Sequence, residues 1–451
     1  MPTYLSPGVY VEEIASGSAP IVGVGTSIAA FIGTISMTES YNFNNVVGEK
    51  VGSGDGAETS FPLSNYPVVN SGFNVEVDSN QASGVSLVND DIAKKSQIVF
   101  ATAPASNEEI TVDYYLNQSI KGEIKLCTNF SEFKNFFGDF FPPSGDTLGQ
   151  NTLAHAVYGF FRNGGTRCYV TWITDQSEVG GVLEDFEAID EITIVVAPGN
   201  LTLSSDIKDH CEKMGDRIAI LDSDSVESID LSATGVVDTL KTFNSTYAAL
   251  YFPWIQVYDP ASNSNIYVPP SGHIAGVYAR VDGQRGVHKA PANETILGAL
   301  ELEYNLSKAK QDGLNPDGIN CIRKLNGNIR VWGARTLGGD ANGEFKYVNI
   351  RRQFSYLRDS IDQGTQWTVF EPNDSELWAK IRRNISAFLT NEWRNGALFG
   401  TTPQEAFYVK CDAETNPAEV RDLGQVITEI GVAVIKPAEF VIFRLSQWSG
   451  S

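Results

Sequence analysis

The chain has 451 residues, 42% of them hydrophobic and 20% charged. That length calls for about two to four globular domains, and the composition is that of a globular chain, not a disordered one. With 33 Lys and Arg against 55 Asp and Glu, the net charge of −22 argues against nucleic acid or an anionic membrane as a partner, because phosphate binding needs clustered cations.

Residues 1–20 read as an extended arm. Pro2, Pro7 and Pro20 oppose helix, and Val9 to Ile14 (VYVEEI) is a strand candidate. The opening MPTYLSPGVYVEE has neither the basic start nor the apolar core of a signal peptide, so no secretory route is expected. No stretch approaches the roughly 20 apolar residues of a membrane helix, so no membrane insertion is expected. Residues 21–37, apolar and β-branched, predict a buried strand. Gly23 and Gly25 resemble the start of a dinucleotide loop, but Ile28 stands where a third glycine would be required, which favours close strand packing.

Between residues 43 and 120 the texture changes to short alternating runs, such as FNVEVD, QIVFAT and EITVDYYL, separated by turn clusters. This predicts an inserted all-β domain with a net charge of −7 over residues 41–120. Residues 21–42 together with 121–342 then form an α/β middle domain with a largely parallel sheet. Its strands include Cys168 to Ile173, Glu191 to Pro198, Asp216 to Asp222 and Ala248 to Asp259. Its helices are expected near 150–162, 204–214, 234–245 and 294–311, the last capped by Asn293. Residues 343–425 predict a C-terminal α+β domain with helices near 347–363 and 374–394. Residues 426–451 form a terminal arm in which 426–435 and 439–448 read as strands.

Little of the sequence carries chemistry. His155, His210, His273 and His288 show no metal-ligand spacing, and neither a GxSxG elbow nor a Walker A lysine motif occurs. No catalytic, cofactor or metal residue is assigned. Cys127, Cys168, Cys211, Cys321 and Cys411 are scattered and odd in number, as expected for reduced, buried thiols in a cytosolic protein. The stretch 268–293 could be an anion loop carrying Arg280, Arg285 and Lys289, but a structural loop is favoured. Asp222 and Asp224 are expected to solvate a loop after their strand. The charge contrast says more: residues 346–400 hold eight basic and six acidic residues inside an acidic chain. Arg351, Arg352 and Arg358 fall on one helix, and Lys380, Arg382 and Arg383 on the next. A basic helix facing an acidic protein partner is one reading, and a solvated face the other.

Several segments, in order, resemble the contractile tail sheath family of myophage tails, R-type pyocins and extracellular injection systems. They are YLSPGVYVEEI, GGTRCYVTWI, VPPSGHIAGVYARVD, LEYNLSKAKQDGLNPDGINCIR, IRVWGARTL, YVNIRRQFSYLRDSI with QWTVFEPND, and LWAKIRRNISAFLTNEWRNGALFG. The resemblance implies a non-enzymatic structural subunit with a subtilisin-like middle domain lacking a recognisable triad, an outer β insertion and a tube-facing C-terminal domain. It implies, as partners, further copies or paralogous sheath subunits, an inner tube protein, a baseplate and a terminal cap. Assembly in the cytoplasm would precede release as a virion-like or extracellular particle. On this reading, Val9, Tyr10, Val11 and Ile14, and Phe440, Ile442, Phe443 and Leu445, link subunits by strand addition. Segments near 15–20 and 413–425 serve as hinges, and the two arginine-rich helices face the tube. The competing readings are an α/β hydrolase or nucleotide-binding enzyme built on the middle domain, and an adhesin built on the β insertion.

Overall fold

The computed structural model describes residues 20–35, 45–64, 68, 73–90, 93, 95–115, 122–140, 148–226 and 235–444. The chain divides into two compact units, Gly25–Arg352 and Met1–Val24 with Gln353–Ser451. The proposed strand Val9 to Ile14 and residue Leu445 lie outside the described residues.

The larger unit begins with β1 (Ala29–Thr34), a continuous apolar run buried along nearly its whole length. Parallel strands covered on both faces have this character, because no side of them meets water. The chain then enters the insertion, with β2 (Asn45–Ser53), β3 (Ser60–Pro62), β4 (Asn74–Val77), β5 (Asn80–Gln81), β6 (Val85–Asp90), β7 (Lys95–Phe100) and β8 (Glu109–Tyr115). These strands form two small antiparallel sheets, ordered β2-β8-β4-β5 and β3-β7-β6. One core of Phe61, Val75, Ile98, Ile110, Val112 and Tyr114 lies beneath them. Asp78 and Ser79, both at positive φ, make the tight β4–β5 hairpin.

The chain continues through β9 (Lys125–Cys127), α1 (Phe130–Phe137), α2 (Leu148–Arg162), β10 (Cys168–Ile173), α3 (Val179–Glu187), β11 (Ile194–Val196), α4 (Ser204–Met214), β12 (Ile218–Asp222), α5 (Gly235–Leu240) and β13 (Ala248–Phe252). After β14 (Ile255–Asp259) and β15 (Ser264–Val268) come α6 (Ser271–Arg285), β16 (Glu294–Thr295), β17 (Glu301–Leu302), α7 (Lys308–Leu314), β18 (Ile319–Leu325) and β19 (Asn328–Val331). A nine-stranded sheet runs β16-β19-β18-β13-β12-β11-β1-β10-β9, parallel from β18 to β10 and antiparallel at both edges. Helices α2 and α6 share the core on one face. Residues of α3, α4, α5 and α7 share the core on the other. The fold is therefore a mixed α/β multidomain one.

Two expectations fail here for physical reasons. The stretch 268–293 is not a loop: Ser271–Arg285 is a helix with ten of its 15 residues buried. A helix buried all round has no polar face, so its apolar period vanishes from the sequence. Its glycines seat it: a Cβ on Gly272 would meet the Ala156 carbonyl oxygen of α2 at 2.4 Å, and one on Gly276 the Phe160 carbonyl oxygen at 2.4 Å. The helix expected over 294–311 is also absent. Strands β16 and β17 occupy its first half, and Ser307, which accepts from Lys310 N at 3.2 Å, caps the short α7. Asn293 instead sits at φ 60° and leads into β16, its amide donating to the Val331 carbonyl at 2.7 Å.

The smaller unit contains the last part of α8 (Val348–Thr365), then α9 (Ser375–Arg394), α10 (Pro403–Ala406), β20 (Phe407–Lys410), α11 (Ala418–Asp422) and β21 (Glu429–Val432). The carboxylate of Asp374 caps α9, accepting from the amides of Glu376 and Leu377 at 2.9 Å each. Leu377, Trp378, Ile381, Ile385, Phe388 and Leu389 form its buried stripe. The root of the N-terminal arm lies along α8. A Cβ on Gly364 would strike Ile21, one on Gly23 would strike Tyr356, and Val24 N donates to Ser360 Oγ at 3.1 Å. Residues 356, 360 and 364 recur every four positions, which puts them on one helix face. Within the segment near 413–425, expected to be a hinge, one side chain is anchored at both ends. The buried Asn416 side chain donates to the Asp412 and Ile427 carbonyls and accepts from Ile427 N.

Candidate assembly interface

Strands β20 and β21 pair antiparallel, with Val409 opposite Ile430 and Phe407 opposite Val432. Beyond the ladder, Ala433 N donates to the Ala406 carbonyl and Ile435 N to the Ala397 carbonyl. Odd-numbered residues from 429 to 435 thus face β20 and the 397–399 segment. By the alternation of an antiparallel ladder, Ile430, Val432 and Val434 turn their amides and carbonyls toward the opposite edge. That edge has no ladder partner among the described residues. The inner face of this small sheet, including Phe407, Val409, Ile430, Val432 and Val434, packs on the α9 core.

Beyond Ile435 the chain leaves this sheet. The expected final strand is not formed over its described part, 439–444. Phe440, Val441, Ile442 and Phe443 are 69%, 68%, 79% and 84% exposed. Four consecutive apolar side chains in water are costly, at about 25 cal/mol per Å² of apolar surface. Among the described residues, an edge without a ladder partner and an exposed apolar segment thus sit on one unit.

The six candidate cations separate. Arg351 is buried, its guanidinium stacked over Tyr247 and Phe345 at 4.4 and 4.3 Å from the ring centroids. Arg352 is buried in a bidentate pair with Asp282, at 3.0 Å from Nη1 to Oδ1 and 2.5 Å from Nη2 to Oδ2. Neither belongs to an exposed basic face, which corrects the sequence-based grouping. Their partners lie far away in sequence, so helical spacing could not reveal the burial. Lys380 is held by Glu376 one turn away at 2.9 Å, and Arg382 Nη1 donates to the Cys411 carbonyl at 2.8 Å. Arg358 and Arg383 are exposed and have no ion-pair partner among the described residues. Arg383, Ala387, Asn391 and Arg394 form an exposed stripe at helical spacing, and Arg394 lies outside the six cations expected from the sequence.

The described part of the middle domain holds polar pairs. Asp222 is buried rather than solvating a loop. Its carboxylate accepts from Ser271 N at 2.8 Å, Ser271 Oγ at 2.5 Å and Gly199 N at 3.0 Å, closing the start of α6. Burial pushes its pKa up to about 6 against the lowering effect of those bonds. His155 Nε2 pairs with Asp259 Oδ1 at 3.0 Å, and His273, whose pKa burial pushes down to about 3, lies against Gly159. Among the described residues no serine hydroxyl bonds a histidine, which a nucleophilic relay would need. The cations of the supposed anion loop mostly serve carbonyls: Arg280 binds those of Asn163 and Thr295, and Lys289 that of Ala292. The five cysteines are free and buried, and burial raises the Cys127 thiol to about 12, leaving little thiolate.

Two family profiles match in tandem: the phage tail sheath protein central domain over residues 179–337 and the phage tail sheath C-terminal domain over 340–447. Together they span more than half of the chain. The protein belongs to the contractile tail sheath family. This sheath chain superposes over its full length on 99% of a chain from the contracted sheath complex of an extracellular contractile injection system, PVC, with a TM-score of 0.66 and 25% identity. Its fold also matches the contracted helical sheath of the anti-feeding prophage, with a TM-score of 0.65, 24% identity, and coverage of 99% of this chain and 100% of that one. It is 30% identical to the tail sheath protein of Vibrio phage KVP40 over 46% of this chain and 30% of that one. It is 27% identical to a putative prophage major tail sheath protein of Pseudomonas aeruginosa over 56% of this chain and 65% of that one. The chain thus spans between about a third and two thirds of these two sequence relatives. Among the described residues, no helix is long and apolar enough to cross a membrane.

Proposed function

We propose that this chain is the structural subunit of a contractile tail sheath. It polymerises as a helical cylinder around an inner tube and contracts to drive that tube through a target envelope. The observation that carries the proposal is the complementary pair on the smaller unit: the open edge at Ile430, Val432 and Val434, and the exposed segment Phe440–Phe443. An unpaired edge is a liability in an isolated subunit and a docking site in an assembly. The C-terminal arm of one copy adds to the edge of the next, and Val9, Tyr10, Val11 and Ile14 serve as the second linking strand. Each backbone bond contributes on the order of 1 kcal/mol net, so a strand of four or five bonds holds a link. A contact between two different surfaces, repeated without closing, generates a helix.

Contraction is then a change between two packings of linked subunits. The extended packing is metastable, and the contracted one buries more surface between copies. The exposed stripe through Arg383 and Arg394, with Arg358, is the candidate tube-facing surface, matched to an acidic tube. Baseplate and cap proteins bound the cylinder, and paralogous sheath chains can share it. The middle domain is a subtilisin-like scaffold without catalysis, its Ser271 hydroxyl spent on Asp222, and the β insertion decorates the outer surface. Assembly takes place in the cytoplasm, before the particle is released.

Negative-stain microscopy of the expressed chain tests this directly: hollow cylinders of regular pitch are expected. A chain lacking residues 436–451 should remain a folded, soluble monomer. Cylinders formed normally by that truncated chain would refute linkage through the C-terminal arm.

A further inference from the structure

The connection between α8 and α9 carries a residue in the wrong conformation for its type. Residues 368–371 form a turn closed by Glu371 N donating to the Thr368 carbonyl at 3.2 Å. Val369 sits at φ −69° and ψ 129°, and Phe370 at φ 67°. These are type II values, and the third position of a type II turn ordinarily takes glycine, because a Cβ is strained there. Phe370 is nonetheless fully exposed at 103%, with Val369 beside it at 59%. In the same connection the Trp367 indole N–H is buried without an acceptor among the described residues. Strain, an uncovered aromatic ring and an unpaired donor thus coincide in four residues, and none of the three helps the isolated subunit.

We propose that Phe370 is an anchor that docks the C-terminal arm of a second copy of this chain. The inference rests on the strand-addition reading above and names a further contact of that site. Two observations choose this occupant. First, Asn373 Nδ2 donates to the Gln425 carbonyl at 2.8 Å, which ties the turn to the segment leading into β21. That segment exposes Leu423 at 74% and Ile427 at 41%. An arm laid antiparallel along the open edge of β21 finishes, past Phe443, at the Glu429 end, where this segment joins the strand. Second, the turn is followed by exposed Glu371 and Asp374, and the arm presents an apolar run followed by exposed Arg444. An apolar knob with an acidic rim matches an apolar strand that ends in a cation.

The experiment uses the full-length chain. A photo-crosslinking residue at position 370 in assembled cylinders is expected to join two sheath chains, with the adduct mapping to residues 436–451. Adducts only with another protein, or only elsewhere on the sheath, overturn the proposal. Phe370→Gly, which suits the turn, is expected to leave the monomer melting temperature unchanged or higher and to raise the critical concentration for assembly by about tenfold or more. Wild-type assembly by this variant overturns the anchor, and a lowered melting temperature assigns Phe370 to the subunit's own packing. If the chain lacking 436–451 assembles, strand addition itself fails. If that chain does not assemble and Phe370→Gly does, only the anchor fails.

Discussion

The Arg352–Asp282 pair offers the sharpest test of how the basic residues divide between packing and partners. Both side chains are nearly sealed, at 5% and 4% exposure. The guanidinium makes two charged bonds to the carboxylate, donates to the Thr26 carbonyl at 2.7 Å, and lies 4.8 Å from the centre of the Tyr278 ring. Thr26 Oγ1 returns a bond to the same carboxylate at 2.7 Å. Asp282→Ala removes the only ion-pair partner of Arg352 among the described residues and strands a buried cation, at a cost of about 3–5 kcal/mol. Arg352→Ala should cost a similar amount, by stranding the anion and opening a cavity. Replacing both at once, Asp282→Leu with Arg352→Met, should cost clearly less than the sum of the singles, because no unpaired charge remains. Guanidinium unfolding of the monomer, followed by near-ultraviolet circular dichroism, reads all three. The reasoning is refuted if Arg352→Ala leaves monomer stability unchanged and instead weakens association with the tube, as an exposed contact would.

Arg383→Glu should behave in the opposite way. The subunit's melting temperature should stay constant while co-assembly with an acidic tube weakens, and the loss should shrink at high salt, as surface electrostatics require; co-sedimentation at two ionic strengths checks this. Val432→Pro removes an amide from the open edge, so assembly into cylinders should fall far more than monomer stability, by light scattering against thermal melts. Gly276→Leu would drive a side chain into the Phe160 carbonyl and should yield a monomer destabilised by several kcal/mol or insoluble, seen by expression and melting. Asp222 should leave a pH signature. Its folded pKa, about 6, lies above the usual value near ~4, so the native state takes up the proton more readily than the unfolded chain. Stability should fall as pH rises from about 4 to about 6, by on the order of 3 kcal/mol at most, and Asp222→Asn should lack that slope in a pH series of melts.

Much of the middle domain can be read from the sequence because parallel strands covered on both faces are uninterrupted apolar runs. CYVTWI and DRIAILD announce themselves in this way. Helix α9 shows through its Asp374 cap and its four-residue apolar spacing. Helix α6 does not, because burial on every side removes the contrast on which periodicity depends, and glycines that normally mark loops serve here as contact points with α2. Arg351 and Arg352 looked like a surface patch for a related reason. Tyr247 and Asp282, which bury them, lie about 104 and 70 positions away, and only the fold brings them together. The C-terminal arm is legible as an apolar segment read to link copies. That its described part, 439–444, forms no strand is not legible, since pairing is a property of the sheet and not of the segment.

The arm root along α8 fixes a length scale. Ile21 lies against Gly364 and Val24 N is tied to Ser360, and on the proposed linkage through Val9 to Ile14 only residues 15–20 separate that strand from this root in sequence. Six residues extend at most about 20 Å. On the other side, the last ladder bond at Ile435 leaves 436–439 before Phe440, at most about 14 Å of slack. On the proposed linkage, two leashes this short would let neighbouring copies swing about nearly fixed attachment points but not draw apart, and the travel of the proposed cylinder would then come from small rotations repeated ring after ring.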